Sequence, residues 1–156
     1  MVICIVSGGC PYESKVPIDT PSVKINTKLL GLWVDSQNEN ETYKVTQKDQ
    51  FTYTIIKSEK ESTDKEKYLA YASVINGTTF LNLWEIKDDT PSPSYSLFKL
   101  DIKSDDIIKI SEVSENIDEV FTSGAALKEF IAANMKNSYF FGKEETNLLR
   151  YSNKHD

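Results

Sequence analysis

Residues 68–86 read YLAYASVINGTTFLNLWEI, and the Asn76-Gly77 pair at their centre decides how the whole chain is read. Asn-Gly between two β-rich runs is the strongest short hairpin signal, because a two-residue turn needs positive φ at both central positions. Strands are therefore expected at 68–75 and 78–86. The same alternation extends in both directions. Upstream, FTYTIIK (51–57) sets Phe51, Tyr53 and Ile55 on one side and threonines on the other. TYKVTQ (42–47) sets Tyr43 and Val45 against Thr42, Lys44 and Thr46, and LLGLWVDS (29–36) supplies a first strand. The charged stretch SEKESTDKEK (58–67) reads as a solvated loop.

Downstream, YSLFKLDI (95–102) and DIIKISEVS (106–114) form a further pair, and TNLLRYS (146–152) reads as a last strand. Turn residues recur every eight to twelve positions, the spacing of an antiparallel sandwich or barrel. One segment departs from it. SGAALKEFIAANMKN (123–137) places Leu127, Phe130, Ile131 and Met135 on one helical stripe, with Ser123 as N-cap. The fold expected is mainly β: an antiparallel up-and-down barrel of about eight strands, with one α-helix before the last strand. Closure removes exposed strand edges. At this size the interior is either filled by side chains or holds one small ligand.

The remaining composition restricts the chemistry. A chain of 156 residues makes one domain with a core of its own. A net charge of −6 argues against nucleic acid as a partner. Cys4 and Cys10 are the only cysteines and His155 is the only histidine, so histidine-based triads and Cys/His metal sites lack their residues. The acidic pairs Asp88-Asp89, Asp105-Asp106 and Glu144-Glu145 fall in expected turns, and neighbours on a strand point to opposite faces. No catalytic residue, metal site or cofactor site is expected, and the chain is not read as an enzyme.

The opening MVICIVSGGC resembles the end of a bacterial lipoprotein signal, with small residues Ser7, Gly8 and Gly9 leading to Cys10. The resemblance implies cleavage before Cys10, lipid on its thiol, and a place in the bacterial cell envelope, on the periplasmic or outer surface. The alternative is a cytosolic protein whose first strand is apolar. Residues 11–28, PYESKVPIDTPSVKINTK, carry three prolines and no sustained period, the composition of a tether. The organisation expected is a signal remnant over 1–9, a flexible tether over 10–28 and a barrel domain over 29–156.

Gly31-Leu32-Trp33 on the first strand resembles the Gly-x-Trp motif of the lipocalins and related barrels. In that family the Trp lies at the closed end and an Arg from a late strand packs across it. Arg150, the sole arginine, lies on the last expected strand, so the resemblance implies a floor built from Gly31, Trp33 and Arg150. The whole body is also similar to small bacterial lipoproteins of uncharacterised function. Two uses stay open. In the first, the barrel holds a small hydrophobic or amphipathic ligand, with Tyr43, Val45, Phe51, Tyr53, Ile55, Phe80, Trp84, Leu97 and Ile110 facing inward as pocket or core. In the second, a solid barrel acts through its surface as a protein-interaction module or inhibitor in the envelope, with Tyr139, Phe140 and Phe141 as an aromatic patch. A cavity on the order of 300 Å3 favours the first.

Overall fold

The computed structural model describes residues 12–114 and 116–152. Eight strands follow one another: β1 Gly31–Asp35, β2 Glu41–Gln47, β3 Thr52–Glu59, β4 Lys65–Ile75, β5 Thr78–Lys87, β6 Tyr95–Ser104, β7 Ile107–Val113 and β8 Phe141–Arg150. Each pairs antiparallel with the next, and β8 returns to β1 through Leu148–Asp35, Leu149–Val34 and Arg150–Trp33. The sheet is thus a closed eight-stranded meander. Helix α1, Gly124–Asn134, lies between β7 and β8, and the Ser123 side chain accepts the Ala126 N–H as its N-cap. Among the described residues no helix is long and apolar enough to cross a membrane.

The Asn76-Gly77 turn joins β4 to β5 with φ of 48° and 81°, the double positive φ its sequence demands. Three strands run further than the sequence pattern suggests. β3 and β4 reach into the charged stretch, Ser58 pairing with Lys65, because charged side chains are accommodated on the outer face of a strand and, for Glu66, beside Lys57 at one end of the bore. β8 begins at Phe141 rather than at 146.

The larger correction concerns the expected tether. From Tyr12 onward the segment is a strap packed along the barrel's outer wall. Glu13 and Ser14 add a short ladder to Ser96 and Tyr95 of β6, and Ile18 is fully buried. The Ile18 N–H donates to Asn82 Oδ1 at 2.8 Å, and the Tyr71 hydroxyl donates to the Asp19 carbonyl at 2.6 Å. Asp19 also accepts from Ser73 Oγ and pairs with Lys128 of α1 at 3.1 Å. The strap then turns under one end of the barrel, where Thr27–Leu29 form a turn of 3-10 helix.

Strap and helix together cover part of the outer wall, so the molecule has two cores. One fills the bore. The other lies outside the sheet, where Ile18, Phe80, Leu97, Val113, Leu127, Ile131 and Phe140 pack together. β5 is consequently apolar on both faces: Leu81 and Leu83 look inward while Phe80, Asn82 and Trp84 look outward. Phe80, Trp84 and Leu97, expected as inward residues, therefore lie outside the bore. A strand covered on both sides loses the polar–apolar alternation that tells one face from the other.

Candidate functional site

The bore is closed at the strap end by a small set of residues. Leu29 turns inward from the 3-10 helix, and its carbonyl accepts the Trp33 indole N–H at 2.9 Å. Trp33 is fully buried. The Arg150 guanidinium carbon sits 4.4 Å from the centre of the Trp33 ring. Its three nitrogens donate to backbone carbonyls: Nη1 to Leu30 at 2.9 Å, Nη2 to Lys28 at 2.6 Å and Nε to Asp105 at 2.8 Å. The planar fork thus ties three chain segments together while covering the indole face. Gly31 leaves room for it: a Cβ there would stand 2.7 Å from Nη1, and φ is 131°.

Above this floor lies an apolar chamber of about 100 Å3, walled by Trp33, Val45, Tyr53, Ile55, Ala70, Leu81, Leu83, Phe98, Ile108, Ile110 and Leu148 together with the rings of Tyr43 and Tyr68. A second recess, about 520 Å3, opens beside the strap at Val23–Asn26 and shares Leu29, Tyr53 and Leu100 with the chamber. The Tyr53 hydroxyl, at this boundary, accepts the Asn26 N–H at 2.6 Å.

The opposite end of the bore is polar. Cross-strand register brings Tyr43, Lys57 and Glu66 side by side on β2, β3 and β4. The Tyr43 hydroxyl donates to Glu41 Oε2 at 3.0 Å, and the Tyr68 hydroxyl donates to Glu66 Oε2 at 2.6 Å. Lys57, with a side chain only 7% exposed, points its ammonium between those carboxylates, 3.6 Å from Glu41 Oε1 and 4.0 Å from Glu66 Oε2. Burial first, then the adjacent carboxylates, push the Tyr43 and Tyr68 phenols far above their ordinary value.

The structure brings Gly31, Trp33 and Arg150 together at the floor and places Tyr43, Val45, Tyr53, Ile55 and Ile110 in the chamber wall. Phe51 does not join them. It lies in the turn before β3, its N–H bonded to Asp49 Oδ1 at 2.9 Å. Phe140 and Phe141 clamp the outer core instead of forming a surface patch. Phe140 is fully buried, and Phe141 stacks on Phe80 with centroids 6.2 Å apart. Tyr139 alone of the three is exposed. Cys10 lies outside the described residues. Sequence reading missed Lys57, Glu41, Glu66, Tyr68, Ala70 and Phe98. A signal for Lys57 was present, since it continues the inward side of β3 set by Tyr53 and Ile55.

Comparison of the chain with protein-family models, with curated proteins and with solved structures finds no match. The reading of the site therefore rests on its own geometry.

Proposed function

We propose that the protein is a non-enzymatic, lipocalin-like binding protein whose barrel takes a small apolar or amphipathic ligand, and that a lipid on Cys10 anchors it in the bacterial cell envelope. The observation that carries the binding reading is the unfilled apolar chamber. Protein cores normally pack to the density of organic crystals. A void of about 100 Å3 forgoes roughly 2 kcal/mol of stability that a filled core retains. Apolar cavities of this order stay dry and accept guests the size of benzene. The chamber is a third of the size expected for a drug-like ligand, so the guest's apolar part is small: a short alkyl chain or a single ring. The surface-acting alternative gains no support from residues 139–141, two of which are spent on the outer core. The envelope address rests on residues 1–10 of the sequence.

Native mass spectrometry of the protein purified from its own cells tests both halves. A small molecule retained by the folded chain and an acyl mass on Cys10 are expected. An empty protein that also fails to bind pentanol or benzene overturns the ligand reading. An unmodified Met1 on the mature cellular protein overturns the address.

A further inference from the structure

The two ends of the bore are shut in different ways. At the polar end the Lys57 ammonium fills the space between Glu41 and Glu66, and the Tyr43 and Tyr68 hydroxyls donate to the same two carboxylates. Parting these groups separates buried charges, which is costly. At the strap end Arg150 secures the side nearest Trp33. The strap is attached at two further places. Asp19 accepts from Tyr71 and Ser73 of β4, while the Ile25 N–H donates to the Gln50 carbonyl at 3.0 Å and the Asn26 N–H to Tyr53. Val23 and Lys24, between these attachments, line one side of the recess of about 520 Å3; Ala72, the β4–β5 turn and the end of β6 line the other. Leu29, Tyr53 and Leu100 border both the recess and the chamber. The Tyr53 ring is fixed by its hydroxyl. The Leu29 side chain is held by packing alone, so a change of rotamer there joins the two spaces without breaking a hydrogen bond.

From this arrangement we infer that the ligand is an amphipathic molecule that enters past Leu29 at the strap end, threads a short apolar tail into the chamber and leaves in the recess a polar head too large for the chamber. This rests on the reading of the chamber as a ligand site and adds the ligand's orientation, its head and its way in. The chamber alone takes a tail of about benzene size, and each buried methylene strengthens binding only about fourfold. Further affinity has to come from contacts outside the chamber, and the recess is the space that adjoins it. Lys24, Asn26, Thr78, Thr79 and Asp101 on its walls supply both donors and acceptors, which suits a head rich in hydrogen-bonding groups. A head turned the other way meets Lys57, Glu41 and Glu66, which are already engaged with one another.

The test titrates the full-length wild-type protein with two uncharged probes that share one tail, n-pentanol and n-pentyl β-D-glucoside, followed by amide-resolved NMR. The glucoside is expected to bind at least as tightly as pentanol, since its sugar fits the recess. The shift differences between the two complexes are expected at residues 23–26 and 77–79. Leu29→Ala keeps the backbone bonds of the 3-10 turn and is expected to raise the association and dissociation rates of pentanol together, several-fold. Binding of pentanol without the glucoside overturns the inference and leaves the chamber reading standing. So do shift differences at Glu41, Lys57 and Glu66 in place of the strap end, which put the head at the polar end. Unchanged exchange rates in Leu29→Ala overturn the passage past Leu29. Failure of both probes to bind overturns both readings.

Discussion

Arg150 joins segments of the chain that lie far apart in sequence. It reaches the carbonyls of Lys28, Leu30 and Asp105 and covers Trp33. Lysine in its place keeps the charge but has one compact ammonium, which cannot serve three carbonyls along three directions. Each lost hydrogen bond to a charged donor costs on the order of 1 kcal/mol net, and the indole contact adds to that. Arg150→Lys is therefore expected to lower the unfolding free energy by roughly 2–4 kcal/mol in urea titrations. A loss under 0.5 kcal/mol, within the range of ordinary surface changes, would mean that the floor is held by Leu29 and the strand pairing alone. Gly31, Trp33 and Arg150 were legible in the sequence because each is a rare residue type at a telling position. The carbonyls that Arg150 binds were not, since a backbone acceptor leaves no mark in a sequence.

Among elements, the strap shows where sequence reading failed and why. Its prolines, polar residues and lack of period describe a free linker, and local pattern offers nothing else. What fixes it is distant: Asn82, 64 residues away, for the Ile18 N–H, and Lys128, 109 residues away, for Asp19. The same blindness affected β5, where Phe80 is as apolar as Leu81 and Leu83 because the strap and α1 cover it, and Trp84 packs on that outer face against Tyr71 and Tyr95. Asn82 ties the strap to β5. It is fully buried, accepts from Ile18, and donates to Ser73 Oγ at 2.8 Å and the Tyr71 carbonyl at 3.3 Å. Asn82→Ala strands the Ile18 N–H without an acceptor, at a cost of about 1–3 kcal/mol, and opens a small cavity besides. Amide exchange at Ile18 is expected to accelerate, and proteases to cut within 12–28, before the barrel itself unfolds. Unchanged Ile18 exchange in the variant would show that the strap is held by its apolar contacts alone.

At the scale of the whole molecule, the eight-strand closure was legible because turn chemistry and period 2 agree along the chain. The chamber was not, since whether inward side chains meet across a bore depends on their summed volumes. Ala70 makes the point: fully buried, it lines the chamber with a single methyl group. Ala70→Leu fills part of the void and is expected to raise stability by about 1–2 kcal/mol while excluding the guest. Destabilisation by a comparable amount would mean that the interior is already full. The tyrosines yield the last expectation. Burial is the leading cause that raises the phenols of Tyr68 and Tyr71, each 4% exposed, above the ordinary value of 10.0; next come the hydrogen bond to Glu66 for Tyr68, and Tyr95 and Asp19 for Tyr71. Above pH 10 the unfolded chain surrenders these protons and the folded chain keeps them. The folded state then binds more protons, so the stabilisation is complete below pH 10 and is lost as pH rises beyond it. Each such phenol removes up to about 1.4 kcal/mol per pH unit, and Tyr68→Phe reduces the slope by that amount. Urea midpoints measured from pH 9 to pH 11.5 are expected to fall only in the upper part of the range, with phenolate absorbance from these two side chains arising together with unfolding. A midpoint constant through pH 11 would mean that both phenols ionise in the folded barrel, and hence that water reaches the acidic end of the bore and the covered outer wall alike.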